Sequence, residues 1–311
     1  GQNCWYRVFS KLNFILNTTI LKGKPVALKI KEQLSLKILD LKKNNIIPSL
    51  AAIIVGDNPA SKLYVSSKAK AFSNLGCHSE VFELSKNTTE NELKEFISNL
   101  NDNDQFHGIL LQLPLPSNLN EKEILKNISP SKDVDGLHPQ NQGYIMQGEP
   151  KFIPCTPLGC LKILDYYKIE TKSKNVVVVG RSNLVGKPIA SLMSQSFSYG
   201  NATVTLCHSK TKDLNFHTKK ADILIVAVGV PYLLKSNMIK EGCHIIDVGI
   251  NRIDDSTNKK GYKVVGDVDY DSMIGKAASI TPVPGGVGVM TVTMLLSNTV
   301  DAAYNKLLQR K

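Results

Sequence analysis

The sequence predicts an α/β protein whose second half is a Rossmann-like, doubly wound parallel sheet. Two observations carry this. In the first half, apolar runs such as LAAIIV (50–55) and HGILLQL (107–113) alternate with helical stripes. In the second half, NVVVVG (175–180), ADILIVAVG (221–229) and HIIDVGIN (244–251) each run into a glycine-containing turn. Strands that are apolar almost throughout, separated by helices, are what a parallel sheet covered on both faces requires.

The chain has 311 residues, room for two domains of ordinary size. Its apolar runs, Ile223 to Val230 among the longest, fall far short of the ~20 residues a membrane span needs. No membrane partner is expected. The formal charge of +11 suits an anionic partner: nucleic acid, a membrane surface or a phosphorylated ligand. The lysines are scattered, with only short clusters such as Lys42-Lys43 and Lys259-Lys260, and no aromatic-plus-basic motif accompanies them. Nucleic acid is therefore not an expected partner. The six cysteines (4, 77, 155, 160, 207 and 243) form no C-x-x-C, so no metal site is expected. Cys77, Cys207 and Cys243 fall at strand edges and read as buried free thiols, which implies a reducing compartment. Residues 1–31 lack Asp and Glu but carry Arg7, Lys11, Lys22 and Lys24. Residues 1–17 read either as a targeting remnant, placing the protein in a mitochondrion or plastid, or as an ordinary extension of a cytoplasmic protein.

Taken in order, residues 24–44 have apolar positions at 26, 27, 30, 34, 38, 39 and 41, a helical stripe. The strand 50–55 ends at Gly56, and Asp57-Asn58-Pro59 opens a helix over 59–75. Tyr64 and Lys68 are four apart and share a face of that helix. They read either as a surface tyrosine over a solvated lysine or as a binding wall beyond a strand's C-terminal end, where open α/β sheets bind ligands. A strand over 78–84 leads to a helix opened by Thr88 or Thr89, with Glu92 in capping-box register. The strand HGILLQL is broken near its end by Gln112, an amide that needs partners wherever it is buried. PSKDVDG (130–136) sets two carboxylates at i, i+2 in a tight loop, either a plain Asx-turn or a carboxylate aimed at paired N–H donors.

In the second half, PCTPLG (154–159) leads into a helix near 158–168. After NVVVVG comes RSNLVGKP and a helix near 186–197: a strand, a glycine turn and a helix N-terminus, a geometry suited to anions. The Walker A pattern fails, since five residues separate Gly180 from Gly186 and Pro188 follows Lys187. The strict G-x-G-x-x-G also fails, because Ser182 replaces its second glycine. The strand ATVTLCHS (202–209) ends without the acid that would hold an NAD ribose, and Arg181 stands on the glycine turn. That pair of features favours NADP over NAD. ITPVPGGVGVMT (280–291) exposes backbone amides to close ligand approach, and a helix over 290–309 follows.

These motifs, VGDNPASKLYVSSKAKA, GILLQLPLP, KDVDGLHPQNQG, PCTPLG, VVGRSNLVGKP, ATVTLCHSKT, IIDVGIN and TPVPGGVGVMT in this order, resemble the bifunctional methylenetetrahydrofolate dehydrogenase/methenyltetrahydrofolate cyclohydrolase family over about residues 20–306. The resemblance implies two α/β domains facing across a cleft: 18–158 plus 289–311 for folate, and 159–288 for NADP, paired as a homodimer through the nucleotide domain. It implies Lys68 as the catalytic amine, hydrogen-bonded to Gln112, with Tyr64 stacked on the aminobenzoate and Asp135 on the pterin's amino edge. Leu111, Leu113, Pro284, Gly285, Gly286, Val287 and Gly288 would line the folate pocket. Gly180, Arg181, Ser182, Ser209 and the Ile250 backbone would hold NADP. The implied activity is oxidation of methylenetetrahydrofolate followed by hydrolysis to 10-formyltetrahydrofolate, with a dehydrogenase of little cyclohydrolase activity as the alternative. The family's proline is replaced by Val289, and the SFSYGN segment is longer than usual, as a loop insertion would be.

Overall fold

The structure is a computed structural model that describes residues 17–309. The expected extension over residues 1–17 lies, apart from its last residue, outside the described residues. In chain order the elements are β1 (Thr19–Ile20), α1 (Gly23–Lys43), β2 (Ser49–Val55), α2 (Pro59–Asn74), β3 (His78–Leu84), α3 (Glu90–Asp102) and β4 (Gly108–Leu111). They continue with α4 (Glu121–Leu125), α5 (Pro139–Gln147), α6 (Cys155–Tyr166), β5 (Asn175–Val179), α7 (Gly186–Ser194), β6 (Thr203–Cys207), α8 (Leu214–Thr218) and β7 (Ile223–Val226). The last are β8 (His244–Asp247), β9 (Asn251–Asp254), β10 (Tyr262–Val265), α9 (Tyr270–Met273), β11 (Ser279–Ile280) and α10 (Val287–Gln309).

The first half is the expected βαβαβ unit. Its sheet runs β3-β2-β4 with every pairing parallel, and the central strand β2 is buried at all seven positions. The second sheet runs β1-β11-β8-β7-β5-β6, also parallel throughout. Its order reverses at β5, flanked by the next two strands of the chain. The crevice at the carboxyl ends of β5 and β7 is thus the topological switch point. The outermost strand β1 comes from the start of the chain, with Thr19 N donating to Ala278 O at 2.9 Å.

Helix α10 returns to the first half and packs on α1 and α6. Val26, Leu34, Ile38 and Leu41 of α1 and Met294, Val300 and Leu307 of α10 belong to one buried core. Each buried aliphatic side chain contributes about 1.5–3 kcal/mol. The exposed Lys37–Asp301 ion pair at 2.7 Å adds ~0–1 kcal/mol. The seam therefore holds by its apolar face.

Several boundaries differ from expectation. Helix α6 begins at Cys155 rather than near 158, because Pro157 falls in its first turn, where a missing N–H costs nothing. Helix α7 stops at Ser194 instead of 197. Gln195 is extended there, and a Cβ on Gly200 would lie 2.0 Å from its carbonyl oxygen. The strand expected over 244–251 ends at Asp247, and Asn251–Asp254 instead forms an antiparallel pair with Tyr262–Val265. Helix α10 starts at Val287, earlier than the expected 290. The described cysteines, Cys155 and Cys160 as well as the three strand-edge thiols, are free and buried. Among the described residues no helix is long and apolar enough to cross a membrane.

Candidate active site

Helix α2 is set by its own sequence. Asn58 caps it, accepting from Ala60 N at 3.0 Å and Ser61 N at 3.1 Å, and Pro59 occupies the first turn. Ser61, Val65 and Phe72 form its buried stripe. Lys68 falls on that stripe between Val65 and Phe72, so its amine is half-buried rather than solvated. Tyr64, one turn earlier, is 52% exposed and stands beside it as an open aromatic wall.

Lys68 Nζ donates to Gln112 Oε1 at 2.9 Å. Gln112 is the first residue past β4; its backbone N–H donates to Ile53 O, and its Nε2 donates to Leu113 O at 2.9 Å. The amide is thereby oriented with its oxygen toward the amine. Leu111 is buried and Leu113 half-buried on either side. Burial lowers the Lys68 pKa from the ordinary lysine value, while Asp135 opposes the shift. Burial likewise raises the Asp135 carboxyl, opposed by Lys68 and by a hydrogen bond with Cys155.

The two acids of KDVDG have different tasks. Asp133 is buried and accepts from Leu137 N at 3.1 Å, His138 N at 2.8 Å and Asn141 Nδ2 at 2.7 Å. Burial nevertheless raises its pKa to about 6. Asp133 folds the loop, and Asp135 is left to face Lys68. The loop is anchored from afar: Asn298 of α10 donates to Val134 O at 2.8 Å and to Ile153 O at 3.0 Å.

At the switch point, Gly180 has φ +121°, and a Cβ on it would lie 2.1 Å from Ala227 O. A Cβ on Gly186 would lie 1.9 Å from Gly180 O, so the glycine turn presses directly on the start of α7. Ser182 Oγ accepts from Val185 N at 3.1 Å, bracing that turn. Arg181 and Ser209 are exposed on neighbouring turns beyond β5 and β6. This strand–glycine turn–helix with an arginine, and without an acid after β6, fits a phosphorylated dinucleotide.

Pro284, Gly285, Gly286 and Gly288, together with Ile250, line a cavity of about 230 Å³ between β8 and α10. Val287 is buried behind it. Gly285 takes φ +107°, and Gly23 N at the head of α1 donates to its carbonyl at 2.9 Å. The segment therefore joins the two halves at the cleft. Val289, where the motif would have proline, sits in the first turn of α10 and is 37% exposed.

Comparison with known proteins agrees with this geometry. A model of the tetrahydrofolate dehydrogenase/cyclohydrolase catalytic domain matches residues 21–135, and one of that family's NAD(P)-binding domain matches residues 154–307. A bifunctional FolD protein of Campylobacter jejuni is 50% identical over 290 residues, 93% of this chain and 99% of the relative. The chain belongs to the tetrahydrofolate dehydrogenase/cyclohydrolase family. Among solved members, the Campylobacter jejuni bifunctional enzyme superposes with a TM-score of 0.87 at 50% identity, covering 93% of this chain and 99% of its own. The Trypanosoma brucei dehydrogenase-cyclohydrolase, described as complexed with NADP cofactor and inhibitor, gives 0.87 at 36% identity, covering 93% and 98%.

Sequence reasoning missed several residues of this dehydrogenase/cyclohydrolase site. Cys155, buried with Sγ 3.7 Å from Val134 O, sits against Asp135, and nothing in a turn-rich PCTPLG points to that contact. Asn298 carried a signal: it is a lone amide between Leu296 and Val300 on an apolar helix, and a buried amide must be tied down. Asp247 and Asp267 lie outside that site, buried below the switch point; Asp247 falls in the strand expected over 244–251, and neither carried a site expectation.

Proposed function

We propose that this cleft oxidises 5,10-methylenetetrahydrofolate to 5,10-methenyltetrahydrofolate with NADP and hydrolyses the product to 10-formyltetrahydrofolate at the same bound folate. The single observation that carries the reading is the half-buried Lys68 amine held by the neutral oxygen of Gln112 at 2.9 Å, beside Asp135.

Desolvation favours the uncharged amine, and the cationic methenyl carbon of the intermediate favours it further. A neutral Lys68 takes the proton of the attacking water. Gln112 positions the amine without adding a charge that would raise its pKa. Asp135 accepts from the parallel N–H donors of the pterin, Tyr64 stacks on the aminobenzoate, and Leu111, Leu113 and residues 284–288 enclose the folate. When bound, NADP supplies the hydride acceptor for the first reaction. Gly180 permits close backbone approach, Arg181 reads the 2′-phosphate, and Ser182, Ser209 and the Ile250 backbone complete the seat. No feature of the site favours a dehydrogenase lacking the hydrolytic step.

In this reading residues 18–158 plus 289–311 are the folate unit and 159–288 the NADP unit, with Thr19–Ile20 lending a strand to the second sheet. A homodimer through the NADP unit is supported by the edge strand β6, which pairs only with β5 among the described residues and exposes Leu206. The buried free thiols support a reducing compartment, cytoplasmic or organellar. Mixing the protein with methylenetetrahydrofolate and NADP should produce NADPH absorbance together with 10-formyltetrahydrofolate. Absence of reduced cofactor with both NADP and NAD would reject the reading.

A further inference from the structure

Beneath the switch point two aspartates are buried side by side, Asp267 fully and Asp247 at 3% exposure. Among the described residues neither forms a salt bridge with a cation; their hydrogen bonds come from backbone N–H groups and, for Asp267, the Asn251 side chain. Asp267 Oδ2 accepts from Val228 N at 2.7 Å and Gly229 N at 3.0 Å, and its Oδ1 accepts from Val230 N at 3.0 Å and Asn251 Nδ2 at 2.9 Å. Asp247 accepts from Gly249 N, Asp267 N and Val268 N, each at 3.0 Å. Two glycines make room: a Cβ on Gly249 would lie 2.3 Å from Asp267 Cγ, and one on Gly266 would lie 1.8 Å from Asp247 Oδ2.

The placement of these donors is what matters. Residues 228–230 follow β7 directly at the switch point, and their neighbour Ala227 is the residue whose carbonyl presses on Gly180. Successive free amides at such a turn would form a ready anion nest. Here all three are turned inward onto the protein's own carboxylate. The same carboxylate holds the Asn251 side chain, and its partner Asp247 holds the Gly249 N–H, so both residues that flank Ile250 are tied to the same pair. A carboxyl that accepts several N–H donors at once fixes the segments that carry them relative to one another.

We propose that Asp267 is a positioning residue for the dinucleotide: as a buried carboxyl accepting four N–H donors it locks the 227–230 turn and the Asn251 side chain beside Ile250 in register with the Gly180 turn, and so sets the width of the NADP seat. This rests on the reading of the switch point as that seat. The folate and hydrolysis residues Lys68, Gln112 and Asp135 are tied to other elements, so Asp267 governs cofactor affinity and leaves hydrolysis alone. A role in general stability would lower both activities together.

The test measures NADP dissociation by calorimetry and methenyltetrahydrofolate hydrolysis, which uses no NADP, on Asp267→Asn and on Arg181→Ala as a control. The asparagine keeps one acceptor oxygen and turns an NH2 toward backbone donors. Its NADP dissociation constant should rise about tenfold or more, with hydrolytic kcat/KM within about twofold of wild type. Unchanged NADP affinity, or hydrolysis falling in proportion, overturns the proposal. If Arg181→Ala weakens NADP and Asp267→Asn does not, the proposal falls while the switch-point reading stands; if neither weakens it, both fall. Should Asp267→Asn fail to fold, Asn251→Ala removes one donor and should weaken NADP about threefold with hydrolysis unchanged; unaltered affinity there overturns the proposal equally.

Discussion

Lys68 Nζ and Gln112 Oε1 are 2.9 Å apart, and the amide that makes this contact is itself fixed by the Leu113 carbonyl. The amine therefore has a neutral, oriented acceptor, and Asp135, the carboxylate whose charge acts on it, works against the lowering of its pKa by burial. A lysine in this setting is held ready to lose its proton.

The sign of the pH dependence follows. In the proposed mechanism hydrolysis needs the free amine, so its rate should rise with pH through the Lys68 pKa, which burial sets below the ordinary 10.5. Asp135 raises that pKa, so Asp135→Asn should move the rising limb of kcat for hydrolysis to lower pH. Gln112→Glu places a charge against the ammonium, favours the protonated form, and should move the limb to higher pH. Both shifts are read from kcat at saturating folate; limbs that coincide with wild type would show that another group titrates.

Arg181 is exposed on the turn after β5. Arg181→Ala should raise the KM for NADP at least about tenfold, the loss expected for a charge-assisted contact, while the KM for NAD changes little. Parallel changes for both cofactors would mean that Arg181 does not read the 2′-phosphate.

Asn298 ties the KDVDG loop to α10 through two carbonyls, Val134 O and Ile153 O. Asn298→Ala removes the amide donor from both and should cost about 1–3 kcal/mol in urea unfolding. It should also raise the KM for folate by loosening Asp135. An unchanged unfolding midpoint would show that the loop is held by other contacts.

The strands were legible because a buried parallel strand is apolar at nearly every position; β2, β5 and β7 read as such at once. Asn58 and Pro59 announced α2. The Lys68–Gln112 contact was not legible from spacing, since the two residues lie on different elements and only the resemblance joined them. Strand β1 escaped notice because two residues carry no periodicity. Asp267 was hidden for another reason: a carboxylate ligated by backbone N–H groups leaves no mark on its neighbours' side chains. Helix ends moved by a few residues where prolines tolerated in a first turn, or an extended residue such as Gln195, decided the boundary.

The central claim is that Lys68 carries the hydrolytic step. The native fold holds its proton less tightly than the unfolded chain does, so this site costs stability at neutral pH, and the cost fades as pH rises toward 10.5. Lys68→Met removes that cost and should melt at or above the wild-type temperature. The decisive measurement is methenyltetrahydrofolate hydrolysis by Lys68→Met, after the spontaneous rate is subtracted. The account predicts a loss of about a hundredfold or more, the scale of general-base catalysis, in a folded protein that still binds NADP. Hydrolysis within about twofold of wild type would contradict it.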